Sequence, residues 1–151
     1  MGYLRAKQSV KDRDFKVLLG MELRFTDNEN DFLVYGIDEG FLKRYPWLYM
    51  KGLAYFYEVA GKNNLLIVQA HPFRENCCLA PIGFLHGIEV YNGNPRHNSR
   101  NELARQTAKE HGLLQLTGSD FHQEEDISGK FFELASMPKT EQELVTLLKL
   151  G

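Results

Sequence analysis

The chain has 151 residues, enough for one domain with a sizeable core, and its 43% hydrophobic and 25% charged residues are the balance of an ordinary globular protein. A formal net charge of −2 gives no cationic footprint for gripping a phosphate backbone, so bulk nucleic-acid binding is not expected. No stretch approaches the ~18 consecutive apolar residues of a membrane span, and no membrane partner is expected.

The first seven residues lack the apolar core of a secretory signal. Cys77 and Cys78 are adjacent, which is no disulfide framework, so a reducing, cytoplasmic setting is expected. Residues 1–16 are strongly charged and read as a short helix with Tyr3, Leu4 and Val10 as buried positions. A strand is predicted over Phe15–Phe25, built on the apolar run Val17-Leu18-Leu19. Glu22 sits within it, and a carboxylate there must reach solvent or meet something positive, because unpaired burial is too costly.

Thr26–Asp31 is a polar turn, and Phe32–Ile37 a second strand that forms a hairpin with the first or simply neighbours it. Residues 41–60 have helical spacing, interrupted by Pro46 and closed at Gly61. The next strand, Leu65–Ala70, ends at His71, which the following Pro72 biases toward extended backbone. Arg74 follows in the loop to Cys78, and Gly87–Asn92 is the next strand. Ser99-Arg100-Asn101-Glu102 reads as a capping box opening a helix, with Leu103, Ala104, Ala108 and His111 available inward and Gly112 at its end. An apolar strand then leads into Gly118-Ser119-Asp120-Phe121-His122. A strand over Phe131–Ala135 follows. The last helix is capped by Thr140 and Glu143 and buries Leu144, Leu147 and Leu148.

This alternation argues for a mainly parallel α/β sheet or barrel in a single domain, residues 1–151. Glu22, His71, Asp120 and His122 lie at or near strand C-terminal ends, where such barrels keep their chemistry. Residues two apart on extended backbone point the same way, so Asp120 and His122 face one cavity, and a carboxylate beside an imidazole is a metal-ligand pair. Arg74, close to His71, offers a phosphate a forked pair of hydrogen bonds, and Arg96 is a second substrate-binding candidate. Glu89 reads as a ligand or as a partner of backbone donors and ligands.

Leu19-Gly20-Met21-Glu22, Ala70-His71-Pro72, Gly87-Ile88-Glu89-Val90-Tyr91-Asn92 and Gly118-Ser119-Asp120-Phe121-His122 stand in an order that resembles the PHP (polymerase and histidinol phosphatase) family. The resemblance runs from about Phe15 to Met137. It implies a distorted (β/α)7, TIM-like barrel in which two or three divalent ions (Zn, Mn or Fe) hydrolyse a small phosphate ester or nucleotide. It further implies that Glu22 bridges two ions, that His71 binds one of them, and that Asp120 and His122 bind different ions. Glu22 and Asp120 thereby become the catalytic pair. Asp31 stands near a position where many members carry a histidine ligand.

The family's opening Asp-x-His-x-His strand and its Thr-Asp-His segment have no counterpart, since no histidine precedes His71. The chain thus resembles the later part of a PHP domain, a partial barrel without its first strands. The expectations are impaired phosphoesterase activity and a homo-oligomer formed through an exposed strand edge. The alternative is a degenerate PHP-like module that binds without turnover.

Overall fold

A five-stranded mixed sheet, with its strands in chain order, carries the molecule. The computed structural model describes residues 2–11, 14–127 and 131–150. Its elements are α1 (Gly2–Ser9), β1 (Gly20–Arg24), β2 (Asp31–Tyr35), α2 (Glu39–Arg44), α3 (Leu53–Lys62), β3 (Leu66–Gln69), β4 (Gly87–Asn92), α4 (Asn101–His111), β5 (Leu114–Gly118) and α5 (Glu141–Leu150). None of these helices is long and apolar enough to cross a membrane.

The sheet is mixed rather than purely parallel. β2 pairs antiparallel with both β1 and β3, so it alone runs against the other four strands, while β3, β4 and β5 pair in parallel. The polar turn between β1 and β2 is too short for the crossover that a parallel pair requires, so these two form the hairpin. Its register sets Arg24 opposite Asp31, Leu23 opposite Phe32 and Glu22 opposite Leu33.

Side-chain alternation then sorts the strands into two faces. Phe32 and Val34 join Leu23, Ile67, Ile88 and Val90 in a core closed by Phe56 and Ala60 of α3 and by Ala104 and Ala108 of α4. Leu66, Val68 and Leu116 form a second core with Val145 and Leu148 of α5. Each large side chain buried in this way stabilises the fold by about 1.5–3 kcal/mol. The sheet is therefore covered by helices on both faces.

Several boundaries differ from the predicted ones. The first strand starts at Gly20, because residues 15–19 run irregularly past α5, where Leu19 N–H donates to Glu141 Oε1 at 3.1 Å. α3 runs through Gly61 to Lys62, and Asn64 takes the left-handed turn (φ 51°). α4 starts behind Arg100, itself left-handed, with no side-chain cap, while Leu103 and His111 face solvent. Of the positions expected to be buried in α1, Leu4 is exposed and Tyr3 half-buried. Residues 131–135 form no strand. Thr140 does cap α5, its Oγ1 accepting from Glu143 N–H at 3.1 Å, but Val145 and Leu148 are the buried positions and Leu144 and Leu147 are half-buried.

Candidate functional site

The hairpin builds the first wall. Cross-strand neighbours on one face of an antiparallel pair touch, and Arg24 forks onto Asp31, with Nε 2.7 Å from Oδ1 and Nη2 2.6 Å from Oδ2. Glu22 lies on the same face of β1, one alternation earlier. Partial burial, then the Asp31 and Asp120 carboxylates, push its carboxyl above the ordinary range.

β3 delivers His71. Ala70 N–H donates to the Asp31 carbonyl at 2.9 Å, which carries the chain past the strand's end. His71 itself is left-handed (φ 29°), against the extended backbone expected before Pro72. Buried Glu89 holds it there, its Oε2 accepting His71 N–H at 2.9 Å, and the chain turns at once as Arg74 N–H donates to the His71 carbonyl. The turn brings His71 Nε2 to 3.6 Å from Asp31 Oδ2. Burial, then the Arg74 charge, lowers the imidazole's pKa, which favours the neutral ring with a lone pair to offer.

β4 and β5 supply the rest. Asn92 Nδ2 donates to the same Glu89 oxygen at 2.9 Å. Arg74 Nη2 spreads over Asn92 Oδ1 (2.9 Å), Ser99 Oγ (3.1 Å) and Asp120 Oδ2 (2.7 Å), while the buried Arg74 Nε has no partner. Ser99, predicted as a helix cap, is thus drawn to this network. β5 ends at Gly118, where a Cβ would overlap Glu89 Oε1.

Asp120 and His122 lie beyond the strand, in a turn with Asp120 left-handed (φ 50°), so their proximity does not come from strand alternation. His122 Nδ1 is 2.9 Å from the Asp120 carbonyl and 3.3 Å from its Oδ1. That carbonyl and carboxylate raise the imidazole's pKa. Asp126 anchors the turn. Fully buried, it accepts from Arg96 Nε (2.8 Å) and Nη2 (2.9 Å), His122 N–H (3.0 Å) and Gln123 N–H (3.1 Å). The Arg96 guanidinium and these amides hold its carboxyl well below the usual carboxylate range.

The result is one polar cavity of about 350 Å³ lined by Glu22, Asp31, His71, Asp120 and His122 together with Arg24, Arg74 and Arg96. One donor atom from each of Glu22, Asp31 and His71 lies within 4.8 Å of the others. Two carboxylate oxygens and an imidazole nitrogen suit zinc, manganese or iron, so this donor set fits a divalent ion. Both Asp31 oxygens also face Arg24.

Sequence reading missed Arg24, Asp126, Asn92 and Ser99 as parts of this region. Only Arg24 had a signal, since pairing the two strands as a hairpin sets it opposite Asp31.

No protein-family model matches the chain, and no curated protein matches it in sequence. Among solved structures it is similar to PsfC from Pseudomonas syringae PB-5123, with a TM-score of 0.63 and 22% identity over 85% of this chain and 55% of that one. It is also similar to a "putative metal-dependent phosphoesterase" from Bifidobacterium adolescentis ATCC 15703, with a TM-score of 0.58 and 16% identity over 99% of this chain and 82% of that one. The chain spans just over half the length of PsfC. What these likenesses establish is a shared α/β fold.

Proposed function

We propose that the chain is a metal-dependent hydrolase of phosphate esters of the PHP type, its five strands forming part of a distorted (β/α)7 barrel. The observation that carries this reading is the convergence of Glu22, Asp31, His71, Asp120 and His122, from four separate chain segments, on one cavity. The likeness in fold to a protein described as a metal-dependent phosphoesterase supports it.

In this reading Glu22, Asp31 and His71 would hold one ion, Glu22 would bridge it to a second, and Asp120 and His122 would serve different ions of the cluster. A bound divalent ion generates a nucleophile from water near neutral pH and polarises a phosphoryl oxygen. The chain's own residues do the rest. The lowered pKa of His71 favours the neutral ring, whose lone pair would hold the ion. Asp126 fixes the His122 backbone, and Glu89 fixes that of His71. Arg96 gives Nε and Nη2 to Asp126, which leaves Nη1 for a phosphate oxygen, whereas Arg74 lines the same cavity with Nη2 spent on Asn92, Ser99 and Asp120 and Nε buried, so it does not present the expected fork. A polar cavity of this size takes a small phosphate ester or a nucleotide.

The test is a panel of phosphomonoesters, phosphodiesters and nucleotides, with a carboxylic ester as control, assayed in Mn²⁺ or Zn²⁺. Slow, metal-stimulated release of phosphate from part of the panel is expected. Metal binding without any turnover would instead favour the binding-module reading.

A further inference from the structure

We propose that Arg24 is a built-in rival of the metal ion for Asp31, and so sets the metal affinity of this site. The inference rests on the metal-dependent reading above and adds a residue that the reading does not use. Asp31 gives both oxygens to one guanidinium, Oδ1 to Nε at 2.7 Å and Oδ2 to Nη2 at 2.6 Å. His71 Nε2 stands 3.6 Å from that same Oδ2. The oxygen best placed to share an ion with the imidazole is therefore one that Arg24 already holds.

The sign of the effect follows from charge and from denticity. Ligating carboxylates are themselves hydrogen-bonded, but a fork engages both oxygens at once, so each is left with only its second lone pair for an ion. Guanidinium is also permanently charged, so a divalent ion taken up by Glu22, Asp31 and His71 meets a fixed positive charge at short range.

The geometry also provides a place for the rival to go. Arg24 is 53% exposed, and its Nη1 lies 3.2 Å from Glu29 Oε2 on the solvent side, while Asp31 is only 10% exposed. Arg24 can release Asp31 and rest on Glu29, whereas Asp31 stays where it is.

The experiment is a Mn²⁺ titration of the whole chain against a competing fluorescent chelator. It compares wild type, Arg24→Gln, Arg24→Lys, Asp31→Asn and the double variant Arg24→Gln/Asp31→Asn, with circular dichroism confirming that each is folded. Arg24→Gln should bind Mn²⁺ about tenfold more tightly or better, on the scale by which ligand partners tune metal sites. Arg24→Lys, which keeps the charge but loses the fork, should fall between, and serves if the glutamine variant does not fold. With Asp31 already replaced, removing Arg24 should give a clearly smaller gain, the part that charge alone supplies.

Equal or weaker binding by Arg24→Gln overturns the rivalry and makes Arg24 a support of Asp31. A gain equally large without Asp31 overturns it too, because the cause is then charge removal alone. Mn²⁺ binding that ignores Arg24 leaves the proposed metal site standing, whereas no binding by any variant removes both.

Discussion

The backbone N–H of His71 donates to the buried carboxylate of Glu89 at 2.9 Å, and this bond ties the candidate ligand to the neighbouring strand β4. The same oxygen accepts Asn92 Nδ2, whose Oδ1 in turn takes Arg74. Removing the carboxylate leaves buried donors without partners, at about 1–3 kcal/mol each. Glu89→Ala should therefore lower unfolding stability by about 2–4 kcal/mol in urea titrations, and Glu89→Gln, which keeps an acceptor, by clearly less.

Gly118 and Glu89 should be coupled. A methyl group at Gly118 overlaps Glu89 Oε1, so Gly118→Ala should cost about 1–3 kcal/mol as overpacking. In a Glu89→Ala background the overlap is gone and the cost should largely vanish. Urea titration of the four proteins in this cycle checks it, and additive costs would contradict the contact.

Asp126 gives a pH signature. Its folded pKa is depressed below the ordinary 3.8, so its stabilising contribution is fully present above 3.8 and is lost as pH falls through the folded value. Asp126→Asn should be less stable than wild type by a constant margin from about pH 5 upward, and the margin should close as pH drops below about 4. Melting temperatures of the pair between pH 2 and 7 measure this. A margin that widened on acidification would contradict the assignment.

Local rules made much of this structure legible in the sequence, and long-range packing hid the rest. β2, β3, β4 and the last two helices follow from apolar periodicity, and Gly112 ends α4 in the left-handed backbone that its position wants. Glu22, His71, Asp120 and His122 stood out because polar residues beside buried strands need a reason to be there. The backbone that carries two of them was not legible. His71 is turned left-handed by an acceptor 18 residues away, and Asp120 lies in a turn tied to Arg74 46 residues away. Local preference, such as the bias of a residue before proline, yields to such contacts. Asp126 carries no signal in the sequence, since nothing local announces the partner 30 residues earlier.

The edge of the sheet and its apolar surroundings carry the expectation of self-association. β1 and β5 are the outer strands, and Phe131, Ile127 and Leu150 are each about three-quarters exposed. Unpaired edges and exposed apolar groups favour pairing with a second copy. Light scattering of the purified chain should give a dimer mass at micromolar concentration, and a monomer across that range would contradict this expectation.

The central claim is that this cavity hydrolyses phosphate esters through a divalent ion, and release of inorganic phosphate tests it most directly. Wild type and Asp120→Ala are assayed side by side, with Mn²⁺ and then with excess chelator. The account predicts release by wild type in Mn²⁺, its loss on chelation with recovery when Mn²⁺ is restored, and no release above background by Asp120→Ala. Turnover that survives chelation, or that is undiminished without the Asp120 carboxylate, would contradict it.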